Sequence, residues 1–361
     1  MKIYFDQQIF TQQTYGGISR YIFELSKNLK IINNDVKILA PIHINKYIIN
    51  DDNVIGTYIK KYPKFSRVLF RYSNFLLTKM YLLNKENKPD VLHETYYSNY
   101  SIAPAHTPKI ITVHDMIHEI FPQNFSLYDK TTEIKKRAIE RADHVICISE
   151  CTKQDLIRIL DVPENKISVV HHGISELIGN ENVQLTSPFL LYVGQRGGYK
   201  NFEVLIRAFA RSPFLMNNFR IIAFGGGAFT NEEYKIFTTL NINPNAISQM
   251  TGGDGILKSL YQQATAFVYP SLYEGFGFPP LEAMTYGCPT IAANTSCIPE
   301  ITGNAALLFN PHSVDDLIEK IDLVTTNDTR NQLIEKGLIH CCKFTWEKCA
   351  RETLNVYQSV L

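Results

Sequence analysis

The sequence predicts two doubly wound α/β halves, each a parallel sheet wrapped by helices, facing each other across a cleft. Three observations predict it. Short β-branched or aromatic runs alternate with helical patterns along most of the chain, the rhythm of parallel strands joined by crossover helices. The alternation pauses once, at HGISELIGNENVQLTSP (172–188), which is polar, punctuated by glycine and closed by proline. Each half also opens alike, with a strand, a glycine pair and a helix: Gly16 and Gly17 in the first, Gly197 and Gly198 in the second.

Taken in order, the first half offers strands at 2–5, 36–40, 91–93, 110–114, 144–149 and 168–171. Its first helix, 17–30, sets Ile18, Tyr21, Ile22, Leu25 and Leu29 on one face at helical period. The connection at 172–188 follows. Strands at 189–193, 220–224, 266–270 and 290–292 build the second half, with helices at 202–211 and 257–263 between them. From Val314 onward the chain reads as helical, with Gly337 as a joint. The expected boundaries are 1–175 and 186–345, two Rossmann-like domains. Ligands of such sheets sit beyond the carboxyl ends of the strands, so the cleft between the halves is the expected site.

Composition narrows the class. An apolar fraction of 45% excludes a largely disordered chain, and a net charge of +1 leaves no global field for nucleic acid. The opening MKIYFDQQIF lacks the apolar core of a signal peptide, and no apolar run reaches the roughly 18–20 residues of a spanning helix. A cytoplasmic protein is expected. Its seven cysteines include no Cys-X-X-Cys, so free buried thiols are expected, with no zinc site. Gly225, Gly226 and Gly227 come nearest to a dinucleotide fingerprint, but Thr230 stands at its third position.

The stretch YEGFGFPPLEAMTYGCP (273–289) carries Glu274 and Glu282 with nothing charged between them. Pro279 and Pro280 place a helix start there, and the amides of a first turn bind anions. A carboxylate beside phosphate repels it unless it reaches past to vicinal hydroxyls. Glu282 therefore reads as a ribose acceptor or as a plain first-turn carboxylate. Glu274 stands on the preceding loop, where a second polyol could lie.

YVGQRGGYKN adds Arg196 and Lys200, cations for a diphosphate or else solvated surface charges. No Asp-X-Asp is present to hold a divalent ion, so side-chain cations and helix amides are expected to take a metal's place, with no metal and no cofactor. In IITVHDMIHE, His114 and Asp115 end a strand, where a histidine can bond a sugar hydroxyl or stabilise leaving charge. His118 follows at metal-pair spacing but without further ligands.

The segment YEGFGFPPLEAM resembles the Glu-X7-Glu motif of retaining glycosyltransferases of the GT-B fold, family 4. The resemblance extends in order through YGGISRY, ITVHDMIHEIFP, ADHVICISECTKQDL, ISVVHHGI, YVGQRGGYKN and IPEITGNAALLF. It implies that Glu282 binds the nucleotide ribose, Glu274 the donor sugar, and Arg196 and Lys200 the diphosphate. Gly275, Phe276, Gly277 and Phe278 would offer amides, and Gly16 and Gly17 would close over the diphosphate. His114, with Asp115 beside it, would sit at the reacting centre, and Met250 and Thr251 near the base. The resemblance makes residues 1–175, rejoined by residues 346–361, the acceptor-binding domain and residues 186–345 the sugar-nucleotide-binding domain.

Within the family the segments look most like bacterial mannosyltransferases of O-antigen and capsule assembly. That implies a GDP-sugar donor, mannose foremost, and a glycan or lipid-linked glycan acceptor. A UDP- or dTDP-sugar donor, a sugar-nucleotide epimerase and a catalytically silent subunit are the alternatives. Between Thr57 and Lys85 the chain has seven basic residues and no acidic one. Lys64, Arg67 and Arg71 share one helical face, and Val68, Tyr72, Phe75 and Leu76 another. Such a helix either lies on an anionic membrane or packs its apolar side on the core.

Overall fold

The structure is a computed structural model describing residues 1–361. It divides into two compact units, Met1–Gly173 with Thr345–Leu361, and Ile174–Phe344. The first holds a seven-stranded parallel sheet: β1 (Lys2–Phe5), β2 (Asp35–His43), β3 (Val54–Tyr58), β4 (Val91–Glu94), β5 (Lys109–Val113), β6 (His144–Cys147) and β7 (Ile167–Val169), in the order β3-β2-β1-β4-β5-β6-β7. Its helices are α1 (Gly17–Ile31), α2 (Arg67–Leu83), α3 (Ile117–Ile120), α4 (Thr131–Arg141) and α5 (Glu150–Leu160).

The second unit repeats the plan with six parallel strands: β8 (Phe189–Val193), β9 (Arg220–Phe224), β10 (Ile247–Met250), β11 (Ala266–Tyr269), β12 (Thr290–Ala293) and β13 (Ala306–Phe309), ordered β10-β9-β8-β11-β12-β13. The helices are α6 (Phe202–Arg211), α7 (Pro213–Asn218), α8 (Asn231–Thr239), α9 (Asp254–Gln263), α10 (Phe278–Thr285), α11 (Ile298–Thr302), α12 (Val314–Val324) and α13 (Asn327–Cys341). The strand order reverses beside β1 and β4 in one sheet and beside β8 and β11 in the other. These are the switch points at which doubly wound sheets open crevices.

The last helix, α14 (Trp346–Ser359), packs on α1 within the first unit. It buries Trp346, Cys349, Ala350, Thr353, Val356 and Tyr357, a 3–4-residue spacing that puts them on one face. Burying Trp346, Val356 and Tyr357 stabilises this docking by about 1.5–3 kcal/mol each. The Tyr357 hydroxyl also meets His93 Nδ1 at 2.6 Å, giving the buried phenol a partner.

Three sequence expectations need correction. Gly337 is no joint: it lies inside α13, where an added Cβ would stand 3.1 Å from Met284, so the glycine permits close packing of α13 on α10. The strands β3, β10 and β13 were not expected. All three lie at or beside sheet edges or mix buried with exposed positions, which blurs the apolar run.

The third concerns α2, which begins at Arg67, so Lys64 precedes the helix and does not share a helical face with Arg67 and Arg71. Asn74, Thr78 and Leu82 are its buried positions and Phe75 packs on the core, while Val68, Leu69, Tyr72, Leu76 and Met80 are 58–66% exposed. Asn74 pays for its burial by bridging the backbone N–H and carbonyl of Ile42 at 2.7 and 2.9 Å. No helix is long and apolar enough to cross a membrane.

Candidate functional site

In the second unit, the loop after β8 and the loop after β11 meet at the switch point. Asn201, in the left-handed conformation at φ 54°, donates from Nδ2 to the carbonyls of Pro270 and Pro311 at 3.1 and 2.9 Å. Leu272 N–H donates to the Tyr199 carbonyl at 2.7 Å. So fixed, Lys200 Nζ reaches Glu274 Oε1 at 2.7 Å, joining two residues 74 apart in sequence. The pair is mostly buried, with side chains 20% and 10% exposed. Glu274 N–H donates to Ser296 Oγ, and the Cys297 thiol lies against the carbonyls of Glu274 and Phe276.

The loop then turns through Gly277 at φ 90°, a conformation suited to glycine, into α10. Two local expectations change here. Pro279 and Pro280 occupy the first turn and lack N–H groups, so that turn offers fewer amides to an anion than expected. Glu282 is the fifth helical residue, not a first-turn one, and α10 has no acid in its first turn. It lies beside the buried Tyr261, whose phenol is pushed up by burial and then by the Glu282 charge. Phe276 buries its ring against Phe344, 5.9 Å between centroids.

Arg196 departs most from expectation. It is no isolated cation awaiting phosphate. Nε and Nη2 grip the Glu233 carboxylate at 2.6 and 3.3 Å, Nη1 donates to the Gly225 carbonyl at 3.1 Å, and Nη2 to the Ala228 carbonyl at 2.9 Å. Its guanidinium lies 4.7 Å from the Phe229 ring centroid. Burial raises the Glu233 carboxyl, but the Arg196 and Thr230 hydrogen bonds outweigh it and hold the acid low. Glu233 also closes a capping box with Thr230 at the start of α8.

The loop that Arg196 holds is Gly225, Gly226 and Gly227, at φ 83°, 69° and 74°. A Cβ on Gly226 would stand 2.7 Å from both Arg196 Nη1 and the Gly194 carbonyl oxygen. Gly225 N–H donates to the Met250 carbonyl, and Gln249 Nε2 donates to the Gly225 and Met250 carbonyls, so this loop is tied to the end of β10 and to Thr251 beyond it.

In the first unit, His114 lies just past β5 and is buried, with Nε2 lacking any hydrogen-bond partner. Burial first, then Lys135, pulls its imidazole down to about 4 against the pull of Asp115, so it is neutral near pH 7. Its ring stands 5.5 Å from Tyr21 and 5.9 Å from His172, and Tyr21 is 4.3 Å from His172. Asp115 caps Ile117 N–H at 3.0 Å, and its carbonyl accepts from Lys135 Nζ at 2.9 Å. Lys135 and Glu119 form a buried pair at 2.7 Å.

His118 stacks on Phe125 and faces Asp129, not His114. No group of three His, Cys, Asp or Glu side chains gathers as a metal-binding set. Gly16 precedes α1 in extended backbone, with the Gln13 amide filling the space its Cβ would need and accepting from Ser19 N–H; around Gly17 no protein atom lies within 4 Å of a Cβ position.

Sequence reading missed Glu233, Asn201, Ser296 and His172 as parts of these clusters. Only Asn201 carried a local signal, the residue type that tolerates left-handed backbone.

Two family models match the chain. Residues 15–176 match a family described as Glycosyltransferase Family 4, and residues 174–339 match Glycosyl transferases group 1. The chain is 25% identical over 366 residues to the O-antigen chain mannosyltransferase B of Escherichia coli, spanning 95% of this chain and 96% of that one. It is 25% identical over 258 residues to the serotype-specific mannosyltransferase WbdA of Escherichia coli, spanning 63% of this chain but 30% of that longer one.

Among solved structures, sucrose-phosphate synthase from Thermosynechococcus elongatus superposes with TM-score 0.72 at 18% identity, spanning 100% of this chain and 99% of that one. Anabaena HepE in complex with UDP and glucose gives 0.73 at 15%, spanning 99% and 100%. With adjacent family models meeting at the boundary between its two parallel-sheet units, the chain belongs to the family 4 glycosyltransferases of the GT-B fold.

Proposed function

We propose that this glycosyltransferase moves mannose from GDP-mannose, with retention at the anomeric carbon and without a metal ion, onto a lipid-linked bacterial surface glycan. The observation that carries the reading is similarity to an O-antigen mannosyltransferase along 95% of this chain and 96% of that one. The Lys200–Glu274 pair at the β8/β11 switch point supports it, since a polyol and an anion find partners there side by side.

In this reading Glu274 accepts from donor-sugar hydroxyls and Glu282 from the ribose. Met250 and Thr251 lie near the base. As the bond from the anomeric carbon to phosphate oxygen breaks, charge grows on the diphosphate, and Lys200 Nζ with the amides of the 275–278 loop stabilises it. The acceptor hydroxyl attacks on the same face, and its proton leaves with the departing GDP. Arg196 acts one step back, holding the Gly225–Gly227 loop. His114, neutral and with Nε2 unpartnered, meets the sugar as a hydrogen-bonding imidazole rather than a cation, with Asp115 beside it.

The same reading seats α2 on the membrane that carries the acceptor. Its exposed Val68, Leu69, Tyr72, Leu76 and Met80 adjoin Lys64, Arg67 and Arg71, the pairing that anionic bilayers attract.

Calorimetric titration with GDP-mannose, UDP-glucose, UDP-galactose and dTDP-rhamnose tests the donor. GDP-mannose is expected to bind at least tenfold more tightly than the others, with Glu282→Ala weakening the GDP- and UDP-sugars alike. Equal or tighter binding of a UDP-sugar overturns it.

A further inference from the structure

The segment that carries His114 and Asp115 leaves β5 and runs into α3, a helix of 4 residues and too short to hold itself. Two side chains from elsewhere hold its backbone. Tyr97, just past β4, sets its hydroxyl against the His114 backbone. Lys135, from α4, donates from Nζ to the Asp115 carbonyl at 2.9 Å. Two consecutive residues of the turn are thereby fixed from two different elements.

Lys135 is the unusual member. It is 1% exposed, and lysine is almost never fully buried unless paired. Its partner is Glu119 on α3, with Oε2 at 2.7 Å and a side chain 2% exposed. Lys135 Nζ also lies 4.0 Å from Met116 Sδ and 5.3 Å from the Tyr97 ring centroid. Each of these contacts falls on the 115–119 segment or on the tyrosine that holds its start.

Stability alone gives no reason for such a pair. Taking two charges out of water is costly, and apolar side chains of similar volume often do as well or better. Glu119 is not even fully satisfied, since Oε1 is buried with no hydrogen-bond partner. What apolar side chains cannot do is reach across from α4 and hold the Asp115 carbonyl. The Lys135 charge also opposes a proton on His114, adding to the effect of burial.

We propose that Lys135, oriented by Glu119, is a positioning residue for transfer: it fixes the backbone that sets the His114 imidazole against the sugar, while itself buried away from it. This inference rests on the reading above that His114 meets the sugar.

The test combines Lys135→Met with Glu119→Leu in the full chain, which removes both charges together. Should this variant not fold, Lys135→Met with Glu119→Gln, closer still in shape, takes its place. Lys135→Met alone should melt below wild type because it strands Glu119, and the double variant should recover most of that loss. Release of nucleoside diphosphate is followed with the tightest-binding of the four sugar nucleotides titrated above and a polyprenyl-diphosphate glycan extract. The double variant should lose at least about tenfold in kcat, with donor KM within about threefold of wild type, since small misplacements of a reacting group are costly. In a His114→Gln background the same two changes should cost less than about threefold, because the turn then has no imidazole to place. A double variant with wild-type kcat, or an equal loss in both backgrounds, overturns the proposal.

Imidazole nitrogen NMR gives a readout independent of turnover, with the His114 signals assigned by their absence in His114→Gln. They should shift and broaden in the double variant, while those of His340, in the other unit, stay in place. Unmoved His114 signals overturn the proposal. Moved signals with unchanged release in His114→Gln overturn the reading that the ring meets the sugar, and the placement of the ring by Lys135 stands.

Discussion

Replacing Arg196 with Met separates a ligand from a brace. The Arg196 side chain is 4% exposed and its partner Glu233 18%, so the substitution strands a mostly buried carboxylate and removes donors from the Gly225 and Ala228 carbonyls. Breaking a buried pair costs about 3–5 kcal/mol; Glu233 keeps the Thr230 N–H and some solvent, which lowers the expected loss to about 2–3 kcal/mol. At about 2–4 °C per kcal/mol for a unit of this size, melting should fall by about 5–10 °C.

Glu233→Gln preserves hydrogen bonding and should cost about 1 kcal/mol. Urea unfolding and donor titration on Arg196→Met and Glu233→Leu form the assay. Both variants should lose stability and donor affinity together, because both release the Gly225–Gly227 loop. Wild-type stability in Arg196→Met with a hundredfold loss of donor affinity, and none in Glu233→Leu, refutes the brace and makes Arg196 a direct phosphate ligand.

Lys200→Met and Glu274→Gln should each slow transfer by at least ~10²-fold while moving stability by less than about 2 kcal/mol, and rates within fivefold of wild type contradict their placement. Transfer should survive a chelator such as EDTA, and loss restored by a divalent ion contradicts the metal-free scheme. His114 has its folded pKa depressed from 6.5 to about 4, so its stabilising contribution is present above pH 6.5 and lost as pH falls through about 4. At 1.36 kcal/mol per unit that is about 3 kcal/mol; His93, pulled to about 3, has the same sign, and Asp6, raised to about 7, the opposite. His114→Gln should therefore lose less stability than wild type between pH 6.5 and 4, and parallel unfolding curves exclude this. Sedimentation with anionic vesicles should fall with salt and fall further in the combined Lys64→Glu, Arg67→Glu, Arg71→Glu variant; unchanged binding sinks the membrane role of α2.

The fold was legible where burial is uniform. Residues 189–193 and 220–224 are apolar along nearly their whole length and became β8 and β9 unchanged. At β3 the run holds exposed Gly56 and Thr57, and an edge strand with one wet side has no such signature. Gly337 was misread because glycine signals both a break and a close approach, and only the neighbouring Met284 tells which.

The site was legible in its residue types and not in its pairings. Lys200 and Glu274 were both expected at a diphosphate sugar, yet nothing in their local patterns places them 2.7 Å apart. Arg196 was read as a phosphate cation because its partner Glu233 lies 37 residues away on another helix. The Lys135–Glu119 pair has no sequence signal, since charged residues on short helices read as surface until their burial is known.

The most direct test of the account is the anomeric configuration of the product. The enzyme is incubated with GDP-α-mannose and a polyprenyl-diphosphate glycan extract, and the new linkage is read by NMR from its one-bond carbon–proton coupling. The account predicts an α-mannosyl linkage with equimolar GDP release, lost in Glu274→Gln. A β-linkage, or transfer from a UDP-sugar but not from GDP-mannose, contradicts it.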